Sequence, residues 1–217
     1  MNDRSPTFVP TASLAATLAD LALRAWQPAV EFGLLFGDPV YWGWGVPRGD
    51  GHPVLVLPGL FAGDDYLQPL RRWLRRVGYT PVRSGLDRNP GWSEELVHEL
   101  GERAEREFVR SGRRVTIVGH SMGGILARSI AARRPHTTGH VITLGAPLAI
   151  VRGSLPATVR FTSIYSRDDR IVRHPAAVGR DPHALNVEVR GTHTGLAGNS
   201  EVYRRLAELL PVPATMR

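Results

Sequence analysis

The sequence predicts an α/β fold, a doubly wound and mainly parallel sheet of about six strands with helices on both faces. Two observations carry this expectation. Short apolar runs alternate along the chain with amphipathic stretches of helical period, the pattern of parallel strands joined by right-handed crossovers. In addition, the β-branched run Val115-Thr116-Ile117-Val118 opens directly into Gly119-His120-Ser121-Met122-Gly123, and a helix-periodic run follows. At 217 residues, the chain is long enough to bury one sizeable core without disulfides or metal.

Taken in order, residues 11–36 read as a helical leader, with Leu14, Leu18 and Leu21 on one face and Pro28 placed to open a second short helix. Residues 1–37 are expected to pack as this leader on the same domain formed by residues 38–217. Gly43 to Pro53 is a Gly- and Pro-rich loop. Val54–Leu57 is a buried strand, and Asp65–Val77 a helix with Leu67, Leu70, Leu74 and Val77 on one face, stopped by Gly78. Thr80–Arg83 is a strand despite Pro81, and Trp92–Arg110 a helix turning Leu96, Leu100, Ala104 and Phe108 inward. After the strand Arg114–Val118, residues Ile125, Leu126 and Ile130 mark a helix that ends before Pro135. Val141–Leu144, Phe161–Tyr165 and Val187–Val189 complete the strands, and Glu201–Leu210 is the closing helix. Ligands of such sheets sit at the carboxyl ends of the strands, so the loops after Leu57, Val118, Tyr165 and Val189 should meet at one crevice.

Composition removes several classes of function. There is no cysteine, which excludes disulfides, thiolate metal sites and cysteine nucleophiles. The apolar stretch Ala12–Leu23 is broken by Asp20 and has no uninterrupted core for a signal peptide, and no run approaches the ~18 apolar residues of a membrane span. A cytoplasmic protein with at most peripheral membrane contact is therefore expected. The net charge of +7 would suit nucleic acid, but all 27 basic residues are arginine, a chain-wide bias, and pairs such as Arg71-Arg72 and Arg133-Arg134 lie beside acids or at helix ends. Solvated faces are the expectation, with no nucleic-acid partner, no metal and no cofactor; oligomeric state is not legible.

The chemistry is carried by a Gly-x-Ser-x-Gly pattern at a strand-to-helix turn, which lifts the Ser121 hydroxyl above the sheet and needs small residues on either side for space. A serine hydroxyl is a weak nucleophile without a base in hydrogen-bond reach. Among the histidines, His193 follows the last strand in Gly191-Thr192-His193-Thr194-Gly195, where the flanking glycines would let its loop approach the turn. Capping the last helix is the competing role, but Asn199 or Ser200 is better placed for it. His120, inside the turn, is expected to pack structurally. The histidine in turn needs a carboxylate, and Asp168 and Asp169 both follow the Phe161–Tyr165 strand.

From Val54 to Leu210 the chain resembles the α/β-hydrolase superfamily, and Val115-Thr116-Ile117-Val118-Gly119-His120-Ser121-Met122-Gly123-Gly124 is similar to the corresponding stretch of its lipases and esterases. That resemblance implies a triad in the order Ser121, acid, His193. Its pattern of an aspartate, any residue and two aliphatics matches Asp169-Arg170-Ile171-Val172, with arginine where glycine is familiar. It also implies an oxyanion hole made by the amides of Met122 and of Leu60, in Pro58-Gly59-Leu60-Phe61, with Phe61 as runner-up donor and proline where many lipases have histidine. Caps in this superfamily enter after the strand that follows the nucleophile helix. Only about 15 residues separate Leu144 from Arg160, the length of a simple connection, so no cap domain is expected. The leader is the only other candidate cover.

The expected function is hydrolysis of carboxylic esters through an acyl-serine intermediate, with small-molecule or lipid-like esters as substrates and Phe61 and Leu196 lining an apolar acyl pocket. A thioesterase or acyltransferase would use the same triad. A binding protein that kept the fold and lost its chemistry would be expected to show damage at Ser121, Asp169 or His193, and all three are intact.

Overall fold

The computed structural model describes residues 27–210. Six strands form one sheet in the order β2-β1-β3-β4-β5-β6: β1 Pro53–Leu57, β2 Thr80–Arg83, β3 Val115–His120, β4 Thr138–Leu144, β5 Arg160–Tyr165 and β6 Ala184–Glu188. Every neighbouring pair is parallel. Helix α1 covers residues 27–37 of the described chain; α2 is Gln68–Arg76, α3 Glu94–Ser111, α4 Met122–Arg133 and α5 Ser200–Leu209.

The alternation of side chains along β1 sorts the core into two layers. Val54 and Val56 pack with Leu70, Trp73 and Leu74 of α2, Tyr203 and Leu206 of α5 and Leu35 of α1. Leu55 and Leu57 pack on the opposite face with Leu96 and Leu100 of α3 and Leu126 and Ile130 of α4. This is the doubly wound arrangement, and it explains why β1 and β3 are buried at every position, since both of their faces are covered. Among the described residues, no helix is long and apolar enough to cross a membrane.

Several boundaries differ from the sequence reading, each for a local reason. Asp64–Leu67 is a short 3₁₀ turn and α2 begins only at Gln68, because Pro69 lacks an N–H and is tolerated only in a first helical turn. The last strand runs Ala184–Glu188 instead of Val187–Val189. It is one of the two edge strands, and its exposed Leu185, Asn186 and Glu188 do not form the apolar run expected of an interior strand. Helix α3 starts where the Ser93 hydroxyl accepts from the Leu96 amide and stops at Gly112 in the left-handed region. Between β4 and β5 the regular structure is one 3₁₀ turn, Leu148–Ile150. Of the leader, residues 1–26, with Leu14, Leu18 and Leu21, lie outside the described residues. In α1, Leu35 is fully buried in the α2–α5 layer, and Phe32 meets Tyr66 edge-on.

Three buried histidines make stability depend on pH. His52 and His120 are pushed down to about 4 and His140 to about 3, in each case chiefly because burial disfavours the charged ring. Between those values and about 6.5, the unfolded chain binds protons that the folded chain does not, so stability is full above that window and is lost as pH falls through it. At pH 5 each ring is expected to cost about 1–2 kcal/mol. A melting temperature that is level above pH 7 and drops steadily from pH 6 to pH 4.5 is expected; one that stays level to pH 4.5 contradicts this account.

Candidate active site

Because all six strands are parallel, the loops after β1, β3, β5 and β6 leave the sheet at the same edge. The loop after β3 is the sharpest. Ser121 has φ 52° and ψ −121°, a conformation that side-chain-bearing residues rarely adopt. Its amide donates to the Leu144 carbonyl at 2.8 Å, which fastens the turn to β4. A Cβ on Gly119 would come within 2.3 Å of the Gly123 carbonyl oxygen, and one on Gly123 within 2.3 Å of the Leu57 carbonyl oxygen. Both positions therefore demand glycine.

The three residues expected to form a relay meet here. Asp169 is buried; its Oδ1 accepts from the amides of Ile171 and Val172 at 2.9 and 2.8 Å, which aims Oδ2 at His193. His193 Nδ1 donates to that Oδ2 at 2.7 Å. The carboxylate can only accept, so the proton sits on Nδ1 and Nε2 is left with its lone pair. The Ser121 hydroxyl donates to Nε2 at 2.9 Å. Asp168, next in sequence, is exposed; its amide donates to the Ser166 hydroxyl at 3.0 Å, and among the described residues its carboxylate accepts no hydrogen bond.

The loop carrying His193 is held from beneath. His120 Nε2 donates to the His193 carbonyl at 2.8 Å, and the Tyr66 hydroxyl donates to the Thr194 carbonyl. Burial keeps the His120 ring neutral at pH 7, so it serves as a fixed donor and not as a second base. Its structural role is the one expected from sequence; Tyr66 was not anticipated, since nothing in its neighbourhood marks it.

Two backbone amides border the serine, that of Met122 next to it in sequence and that of Leu60 after Gly59, where a Cβ would lie 3.2 Å from the Ser121 Cβ. Met122 is the first residue of α4, where helix amides lack internal acceptors and carry partial positive charge. In the loop after β1, the Phe61 amide donates to the Asn89 carbonyl at 2.9 Å and is thereby occupied, whereas among the described residues the Leu60 amide has no acceptor. Of the two candidate donors, the Leu60 amide is thus the one left without an acceptor among the described residues. Asn89 is the brace that sequence reasoning missed. Its amide nitrogen Nδ2 donates to the Pro58 carbonyl at 2.8 Å, and its backbone amide to the Ala62 carbonyl at 2.8 Å, tying the loop after β1 to the loop after β2. The Asn89-Pro90-Gly91 run signals a turn, but not what that turn holds.

In the loop after β1, Leu60 is 42% and Phe61 62% exposed, with the Arg88 guanidinium stacked 4.8 Å from the Phe61 ring centroid. The expectation for Leu196 needs correction. Its side chain is 0% exposed and belongs to the α2–α5 layer of the core, so it lies under the site and offers no surface to an acyl chain. Leu196 follows a loop that turns back into the fold at Gly195, and sequence proximity to His193 does not translate into lining.

Comparison with known proteins places these elements in context. The family model for the PGAP1-like alpha/beta domain matches residues 96–202, a stretch that holds Ser121, Asp169 and His193. A triacylglycerol lipase of Pseudomonas fragi is 27% identical over 127 residues, which is 50% of this chain and 42% of that lipase, so the chain spans less than half the length of this curated relative. Among solved structures, an a/b serine hydrolase without lid from Xanthomonas campestris superposes with a TM-score of 0.59 at 17% identity, covering 77% of this chain and 88% of the other. A monoacylglycerol lipase from Paleococcus ferrophilus gives a TM-score of 0.57 at 12% identity, covering 76% of this chain and 95% of the other. At these identities the two structural likenesses speak for the fold.

Proposed function

We propose that this chain, which has the α/β-hydrolase fold and is similar to the lipases and esterases of that superfamily, is a serine hydrolase that cleaves carboxylic esters of lipid-like acids. The observation that carries the reading is the unbroken relay from Ser121 through His193 to Asp169, with hydrogen bonds of 2.9 and 2.7 Å. The Ser121 oxygen attacks the ester carbonyl while His193 Nε2 takes its proton. Negative charge develops on the former carbonyl oxygen, where the Leu60 and Met122 amides are preorganised to receive it. The imidazolium, stabilised by Asp169, protonates the departing alkoxide and leaves an acyl-serine. His193 then draws a proton from water, which attacks the acyl carbon, and the second tetrahedral intermediate releases the acid and restores Ser121.

The choice of substrate rests on the exposed Leu60 and Phe61 of the loop after β1 and on the similarity to a triacylglycerol lipase. It is tested by p-nitrophenyl esters of rising chain length run beside acyl-thioesters of the same acids. The expected result is ester turnover with kcat/KM rising at least tenfold from acetyl to a medium-length chain, since each methylene buried against these two side chains contributes about 0.8 kcal/mol. Thioesters turned over tenfold faster than the matching esters would assign the site to thioester chemistry instead.

A further inference from the structure

Helix α1 lies ahead of the six-stranded core, and its sequence, Gln27-Pro28-Ala29-Val30-Glu31-Phe32-Gly33-Leu34-Leu35-Phe36-Gly37, holds a single ionisable side chain. A surface helix ordinarily turns its charges to water and its apolar residues inward. Here Val30 and Leu34 are exposed, while Glu31 is turned toward the body of the protein. Glu31 Oε1 accepts from the Thr192 amide at 2.9 Å and Oε2 from the Thr192 hydroxyl at 3.3 Å, across 161 residues of sequence. Burial pushes the Glu31 carboxyl above the ordinary range, the Thr192 bonds pull it back down, and nearby Asp168 pushes it up again. The contact thus offsets a cost of placing the charge there.

Thr192 immediately precedes His193 and organises the turn around it. Its hydroxyl also accepts from the Gly195 amide at 3.1 Å, and its carbonyl accepts from the Leu196 amide at 2.9 Å, so the segment from 192 to 196 closes on itself. The glycines flanking this segment also have a use that the sequence did not show. A Cβ on Gly195 would fall 1.4 Å from Glu31 Oε2, and one on Gly191 would fall 3.4 Å from it. Gly195 leaves open the space that the Glu31 carboxylate fills. The carbonyls of His193 and Thr194 are anchored by His120 and Tyr66, while the Thr192 amide is anchored by Glu31.

We propose that Glu31 is a positioning residue for His193: by gripping Thr192 it holds the loop at the height where the imidazole reaches both Ser121 and Asp169, which makes α1 a working part of the site. The inference rests on the hydrolase reading of that site. Glu31 touches neither substrate nor reacting atoms, so its removal should act on turnover and leave ground-state binding alone.

The test compares wild type, Glu31→Ala, Glu31→Gln and Gly195→Ala on a p-nitrophenyl ester well below each melting temperature, together with the rate at which a fluorophosphonate labels Ser121. Glu31→Ala is expected to lower kcat and the labelling rate about tenfold with KM within twofold, the scale of a slightly misplaced base. Glu31→Gln retains an oxygen for the Thr192 amide and should recover most of the loss. Gly195→Ala keeps Glu31 in the chain but ejects its carboxylate from the slot, and should resemble Glu31→Ala. Wild-type kcat and labelling in Glu31→Ala, or a loss confined to KM, overturns the proposal while the hydrolase reading stands. No labelling of Ser121 in the wild type overturns both.

Discussion

Ser121→Ala is expected to reduce ester turnover by on the order of 10⁶, leaving only the rate that binding and the proposed oxyanion amides supply without a nucleophile, about 10³–10⁴ over water. The size of the effect follows from the relay. His193 Nε2 has the Ser121 hydroxyl 2.9 Å away and no other described partner, so without that hydroxyl the base has only water to activate. Alanine should leave the fold alone. The turn is held by the Ser121 backbone amide on the Leu144 carbonyl and by the close approaches at Gly119 and Gly123, none of which involves the hydroxyl. A melting temperature near that of wild type combined with near-complete loss of turnover is therefore the expected pair of results. Turnover within tenfold of wild type would mean that another group attacks the ester.

The second large effect separates the two adjacent aspartates. Asp169→Asn is expected to cost on the order of 10⁴ in turnover, while Asp168→Asn stays within about threefold. In the asparagine variant, the side-chain oxygen can keep the Ile171 and Val172 amides that Oδ1 now accepts, which leaves the NH₂ group facing His193 Nδ1. Two donors cannot face each other, so Nδ1 becomes an acceptor and the ring proton moves to Nε2. That tautomer has no lone pair for the Ser121 proton. Asp168 is exposed and its carboxylate takes no part in the relay, so its replacement removes a charge near Glu31 and leaves the bonds among Ser121, His193 and Asp169 in place. Steady-state kinetics of both variants decide the matter, and a greater loss in Asp168→Asn would reverse the assignment.

What was legible in the sequence is what depends on neighbours along the chain. The run Val115–Val118, the small residues around Ser121 and the helical period after it are local facts, and together they specify a strand, a tight turn and a helix whatever the rest of the protein does. Asp169 required more, because composition and spacing leave it level with Asp168, and only the resemblance to a known pattern separated them. The two flanking glycines of His193 were visible as glycines, but their reason was not, since Gly195 answers to Glu31 in a helix at the far end of the chain. Asn89 and Tyr66 stand in the same position. Each braces the site through a backbone carbonyl, 31 residues away for Asn89 and 128 for Tyr66, and no periodicity or motif encodes such a contact. Leu196 shows the opposite error. An apolar residue three positions after the base invites a role in lining the site, yet its environment is set by α2 and α5 closing over it.

The central claim is that Ser121 is the nucleophile of an acyl-transfer relay, and the most direct measurement is covalent. The folded protein is treated with an alkyl fluorophosphonate, and the adduct is located by mass spectrometry of its peptides, with Asp169→Asn run in parallel. One equivalent of phosphonate on Ser121 in the wild type, formed at a rate that collapses in Asp169→Asn, is the result the relay predicts. A protein that remains unmodified, or that carries the adduct on a different hydroxyl, would contradict it.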